Sequence, residues 1–169
     1  MVDVFYPLQL MTRRRLGLPA QPLRFFRLLW TDVLEQGLGH LTIVEAGGRP
    51  IAAAVFLEWN GVTVYKYGAS DPRMWHLRPN NLIFAEEIAG ACRAGQSTFH
   101  FGRTDVDDEG LQRFKLGWGA VEEPLRSTWF GGAPSAESSG PPALLRTVMR
   151  RSPPFAVRAI GAALYRYAA

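Results

Sequence analysis

Between Pro22 and Gln36 the apolar residues Leu23, Phe26, Trp30, Val33 and Leu34 fall three and four apart. That spacing predicts an amphipathic helix, with Pro22 in the first turn and Gly37 at the C-terminal cap. The pattern then changes period. LTIVEA, PIAAAVFLEW and VTVYKYGA are separated by Gly47-Gly48 and Asn60-Gly61, pairs that accept the positive φ angles of two-residue hairpin turns. They predict three consecutive antiparallel strands over 40–46, 50–59 and 62–69. The middle strand is apolar on both faces, Ile51, Val55 and Leu57 on one and Ala52, Ala54 and Phe56 on the other, so it belongs at the centre of a sheet covered on both sides.

After the loop SDPRMWHLRPN, Asn80 or Asn81 caps a helix, LIFAEEIAGACRA, that ends at Gly95 with Leu82, Ala85, Ile88, Ala89 and Cys92 as its expected buried stripe. Thr98 to Gly102 reads as a strand, Asp108 to Gly117 as a short helix, and Ala120 to Phe130 as a last strand region broken by Pro124. The order helix, three-strand meander, helix, strand, helix, strand implies an α/β (α+β) fold with a mixed, mostly antiparallel sheet flanked by helices. Residues 131–142, GGAPSAESSGPP, have a linker's composition. Residues 143–169 form a helical tail in two stretches divided by Ser152-Pro153-Pro154. The reading is a domain over 1–130, a flexible linker over 131–142 and a tail over 143–169.

Charge changes the picture of the tail. From Ser138 onward there are five arginines and no acid, and setting them aside leaves 14 basic against 15 acidic residues. The domain is therefore near neutral, which argues against a broad nucleic-acid-binding face. In the second tail helix Val157, Ile160, Ala163, Leu164 and Tyr167 share one face with Arg158 and Arg166 off it, a pattern that fits an anionic membrane surface, the domain, or a second subunit. One cysteine, Cys92, permits no internal disulfide, and three scattered histidines give no metal-ligand spacing. The expected setting is reducing and cytoplasmic, with any membrane contact peripheral. No serine or cysteine elbow, phosphate loop or dinucleotide fingerprint supports a hydrolase or nucleotide-cleaving enzyme.

The candidate chemistry clusters around Lys115. On a helix counted from Leu111, Phe114 and Trp118 lie on one side and Lys115 at the edge of the packed face. Either its stem covers apolar surface while the amine reaches water, or the ammonium projects into a cleft and stabilises the oxyanion of an acyl-transfer intermediate. Gly102, at the end of its strand, leaves room for a close approach. Arg103 can grip an anion bidentately or pair with Asp105, Asp107 or Asp108. Tyr65 and Tyr67 are expected on one face of the third strand with Asp71 beyond its end, and His76 and His100 have no evident orienting partner.

Six segments, TRRRLGLPAQPLRFFRLL, YKYGASD, RPNNLIFAEEI, FHFGRT, LQRFKLGWGA and EPL, follow the order seen in FemAB-like proteins. Over about residues 11 to 130 the chain resembles the C-terminal GNAT-like half of that group, including BioF2-like acetyltransferase domains and FemAB-related proteins of exopolysaccharide and exosortase gene clusters. The resemblance implies a single GNAT-like fold. It also implies transfer of an acyl or aminoacyl group to an amine of a cell-envelope or exopolysaccharide precursor, from acyl-CoA or aminoacyl-tRNA as co-substrate, with no bound cofactor or metal. Lys115 aligns with the lysine held to stabilise the oxyanion. Tyr67 and Asp71 would serve as its catalytic companions, while Tyr65, Arg78, Asn80, Asn81, Gly102, Arg103, Phe114 and Trp118 would bind substrate.

Three departures bear on this. FemAB-like proteins carry two such domains, so a homodimer or a second domain in trans would have to complete the site. His100 stands where relatives carry an aspartate. The junction GASDPRMWHLRPNN has only Gly68 near the strand, where acetyl-CoA enzymes have a glycine-rich phosphate cradle. The competing expectation is a non-catalytic half that docks to a membrane or partner through its tail. A third is tRNA binding through Arg13, Arg14 and Arg15.

Overall fold

A computed structural model describes residues 1–126, 128, 130 and 143–165. It opens on a helix that the periodicity did not announce, α1 (Val2–Leu16). Pro7 sits within it and removes one backbone donor, yet Phe5, Tyr6, Leu8, Gln9 and Thr12 form its buried stripe. The helix expected over 22–36 runs as α2 (Leu23–Leu29) and then loosens into one π turn, Trp30–Leu34. There the Thr31 hydroxyl donates back to the Arg27 and Leu28 carbonyls, a competing bond of the kind that opens a helix locally.

The three hairpin strands are β1 (Gly39–Ala46), β2 (Arg49–Trp59) and β3 (Val62–Ser70). Positive φ at Gly47, Gly48, Asn60 and Gly61 confirms both predicted turns. A crossover through α3 (Pro79–Arg93) returns to β4 (Thr98–His100), which lies parallel to β3. The sheet order is β1-β2-β3-β4, and β2 is buried on both faces as expected. One core, with Phe5, Leu8, Phe26, Ala53 and Val55, lies between the sheet and α1–α2. The other, with Ala52, Ala54, Phe56 and Ile83, lies beneath α3.

Three expectations change here. The stripe of α3 is rotated: Ile83, Phe84 and Ala91 are buried, while Leu82, Ala85 and Cys92 are exposed. Neither Asn80 nor Asn81 caps the helix; Arg78, held at φ 50, is the N-cap, and the two asparagines occupy the first turn. Residues 120–126 form no strand, since Pro124 lacks a ladder N–H and Val121 and Leu125 stand exposed with nothing to cover them. The predicted linker, 131–142, lies outside the described residues.

Helix α4 (Glu109–Leu116) is capped by the Asp108 carboxylate, which accepts from the Leu111 N–H. The tail folds as α5 (Ala143–Arg151) and α6 (Pro154–Tyr165) and returns to α1. Of the three surfaces that the face with Val157 and Ile160 could meet, it takes the domain: the two form with Met149, Ala20 and Leu10 a third small core. Helix α6 comes so close that a Cβ at Gly161 would lie 1.9 Å from the Ala20 carbonyl oxygen. A backbone oxygen cannot swing aside. Gly161→Ala should therefore lift the tail off α1, seen as faster proteolysis of residues 143–165 with α1 to α4 still folded; an unchanged cleavage rate would contradict the docking.

Candidate active site between parting strands

Strands β3 and β4 pair over only three positions, Val62↔Thr98, Thr63↔Phe99 and Val64↔His100. Beyond Val64, β3 continues to Ser70 while the other chain turns away through Gly102 and Arg103. The β3 edge over 65–70 thus has no strand partner on that side among the described residues. The gap is shaped by Gly102, whose φ of 75 suits glycine and whose Cβ would press on the Tyr65 carbonyl at 3.3 Å. The close approach expected at Gly102 is an approach to β3 itself.

A β-bulge lies at the same level. The register skips from Val55↔Tyr67 to Phe56↔Tyr65, leaving Lys66 as the extra residue. This reverses the alternation, so Tyr65 and Tyr67 do not share a face as expected. Tyr65 points under α3, against Phe84 at 4.9 Å and Phe56 at 5.7 Å between ring centres. Burial pushes its phenol up to about 12. Tyr67 points to the α1–α2 side, against Phe26 and Phe25. Its phenol is also raised, first by burial and then by Tyr165 of the tail, with Arg13 opposing. A bulge interrupts the ladder and turns backbone amides out of it, where they can face a ligand carbonyl.

Lys115 is buried, at 9% exposure, rather than at the edge of a packed face. Its Nζ donates to the Gly102 carbonyl (2.8 Å), the Arg103 carbonyl (3.3 Å) and Thr104 Oγ1 (2.6 Å). All three ammonium protons are thereby engaged by the segment that leaves β4. Burial lowers its pKa, with Asp108 opposing. Phe114 and Trp118 hold α4 in place by packing on Phe84, at 5.4 and 6.2 Å.

The β3–α3 connection is a 3-10 turn, Pro72–Leu77, capped by Asp71. The Asp71 carboxylate accepts from the Arg73 N–H and guanidinium, and that pairing holds it below the ordinary carboxylate range. Asp71 is thus already engaged. Trp75 donates to Ser70 Oγ at 2.9 Å and carries the Arg15 guanidinium 4.8 Å above its ring. Arg78 and Asn81 stand exposed and Asn80 half-buried at the start of α3, where helix N-terminal dipoles favour an anion. Arg103 is exposed, with Asp105 3.8 Å away. Gly68, the one glycine of the junction, is occupied: a Cβ there would lie 1.7 Å from the Tyr65 hydroxyl. Of the three N-terminal arginines, Arg13 donates to the Pro19 carbonyl at 2.9 Å, so it is not a free cationic finger.

One group escaped the sequence reading. Glu87 projects from the buried side of α3 and accepts from Thr42 and from His40 Nε2, the latter at 2.6 Å. The signal was its spacing, four residues after Ile83 and four before Ala91. The hydrogen bond that His40 donates to Glu87 raises the histidine above its ordinary 6.5, against the effect of burial. Burial acts to raise Glu87, but the bonds from His40 and Thr42 outweigh it and leave the carboxyl below 4.5. The histidine's contribution to stability is full below 6.5 and fades as pH climbs through its raised folded value. That of the glutamate is full above 4.5 and fades as pH falls through its lowered one. The stability lost in Glu87→Gln should therefore be greatest between 4.5 and 6.5 in melting curves across pH. A loss independent of pH would contradict the ionised pair.

Residues 2–122 match the family described as the acetyltransferase (GNAT) domain. No curated protein sequence matches the chain. Among solved structures, the ribosomal-protein-S18-alanine N-acetyltransferase from Escherichia coli is similar at a TM-score of 0.61 and 11% identity, over 76% of this chain and 77% of that one. The aminoglycoside acetyltransferase AAC(6')-Iy, in complex with a bisubstrate analogue of CoA, is similar at 0.59 and 16%, over 79% and 92%. AAC(6')-IG from Acinetobacter haemolyticus, without ligand, gives 0.52 and 11%, over 73% and 93%. With the family match spanning the meander, the crossover helix and the parting strands, the chain belongs to the GNAT acetyltransferase domain family.

Proposed function

We propose that the protein is an N-acyltransferase whose acyl donor lies in the gap between β3 and β4. The observation that carries this is the three-residue pairing of those strands, followed by a bulged β3 edge over 65–69 with no strand partner on that side among the described residues, closed at Ser70 by the Thr12 hydroxyl, which accepts from the Ser70 N–H and donates to its carbonyl. An acyl-CoA has amides along its arm that can pair with such an edge, as an added strand would. Its thioester carbonyl would then meet bulge amides that favour the developing oxyanion. The acceptor amine attacks that carbon, the tetrahedral intermediate collapses, the C–S bond breaks, and the amine's proton leaves to solvent or to the departing thiolate. Arg78 and the first turn of α3, with Arg103 across the gap, suit the donor's phosphates. Lys115 acts on this reaction through the backbone it fixes. Tyr67 and Lys66, on the opposite side of the bulge, border the acceptor.

The acceptor we favour is an amine of a cell-envelope or exopolysaccharide precursor, on the strength of the six FemAB-like segments. Aminoacyl-tRNA is the weaker donor, because Arg13 is already engaged within the fold. A second reading, a non-catalytic half of a larger assembly, draws on the full engagement of Lys115 and Asp71. Melting curves with acetyl-CoA, longer acyl-CoAs and UDP-linked amino sugars separate the two. Binding to the native state alone must raise the midpoint, so the enzyme reading predicts a rise with at least one acyl-CoA and label transfer to an amine. No rise with any donor would leave the non-catalytic reading.

A further inference from the structure

The tail docks on α1 by one side only. Leu145 and Met149 of α5 and Val157 and Ile160 of α6 turn inward. On the outward side Leu144 is 77% exposed, Val148 45% and Phe155 75%. Leu144, Val148 and Arg151 follow one another at four and three residues, a single line along the helix surface, and Arg150 stands exposed next to Arg151. The tail's described residues contain no acid.

From this we infer that the outward face of the tail is a docking surface for an anionic lipid bilayer, on which the helices lie in the plane of the headgroups. Each alternative occupant uses only part of the face. A nucleic acid or an acidic protein would satisfy the arginines but leave Leu144 and Phe155 in water. A second copy of the chain would bring like-charged arginines together. A lipid interface takes both kinds of side chain, the apolar ones at the acyl boundary and the guanidiniums on headgroup phosphates. No helix among the described residues is long and apolar enough to cross a membrane, so the contact is peripheral. The inference does not depend on the acyl-transfer reading, because the residues concerned lie outside the strand gap.

The test is sedimentation of the full chain with vesicles of phosphatidylcholine alone and with about one-third phosphatidylglycerol. Binding should be at least about tenfold tighter to the anionic vesicles and should weaken with salt. Arg150→Glu with Arg151→Glu should lower it about tenfold or more, and so should Leu144→Ser with Phe155→Ser. Both double variants change exposed residues, and unaltered melting curves would show that the tail remains docked. Equal binding to both vesicles, or no binding to either, overturns the inference. So does loss of binding in the arginine variant alone, which would mark a purely electrostatic contact shared with any polyanion.

Discussion

Lys115→Met should lower stability by about 2–4 kcal/mol and kcat/KM by about a hundredfold together. The methionine fills the space of the lysine stem but leaves two backbone carbonyls and the Thr104 hydroxyl without the donor that holds them. Those groups fix the path of residues 102–104, one wall of the strand gap, and a displacement near 1 Å at a reacting centre is enough for the kinetic loss. A lysine acting on the oxyanion directly would give a different result, with activity lost and the melting curve unchanged. Thr104→Val sharpens the distinction. It removes one of the three acceptors without touching the amine, so part of both losses should follow if Lys115 works through the segment. Urea unfolding and steady-state rates on the same preparations decide between the two.

Gly68→Ala should be nearly as damaging, at about 1–3 kcal/mol, although it adds one methyl group. That methyl would stand 1.7 Å from the Tyr65 hydroxyl and 2.7 Å from the ring carbon bearing it. The ring cannot retreat, because Phe56 and Phe84 enclose it. The strain must then fall on β3 at the bulge, where the donor is proposed to lie, and donor binding should weaken along with stability. Tyr65→Phe removes the closest contact, so in the double variant part of the loss should return. A non-additive cycle in urea unfolding is the expected outcome. Additive effects would show that Gly68 serves another purpose.

The residues explain how far the sequence could be read. The meander was legible because Gly47-Gly48 and Asn60-Gly61 mark both turns and β2 carries apolar side chains on both faces. Helix α1 was hidden by Pro7 and by a buried stripe that includes Gln9 and Thr12, residues that do not look apolar. The stripe of α3 was misjudged because Leu82 and Cys92 look more apolar than their neighbours, while the side that packs includes Glu87. Lys115 was correctly singled out as anomalous, but its partners are backbone atoms thirteen and twelve residues earlier, which no side-chain pattern encodes. The bulge at Lys66 was equally invisible. Alternation predicts one shared face for Tyr65 and Tyr67, and only the register with β2 separates them.

Both tyrosines acquire a physical setting from this. Tyr65 is a packing residue that keeps the start of the free edge rigid. Tyr67 meets the solvent side near Arg13 and Tyr165, so the docked tail borders the region where an acceptor would enter.

Amide hydrogen exchange with and without acetyl-CoA tests the central claim most directly. A donor paired along the free edge of β3 must protect backbone amides there, so protection should appear in peptides spanning 65–69, with a smaller effect over 101–104. Binding that leaves those peptides unprotected, or protects only the tail and α1, would contradict the placement of the donor between β3 and β4.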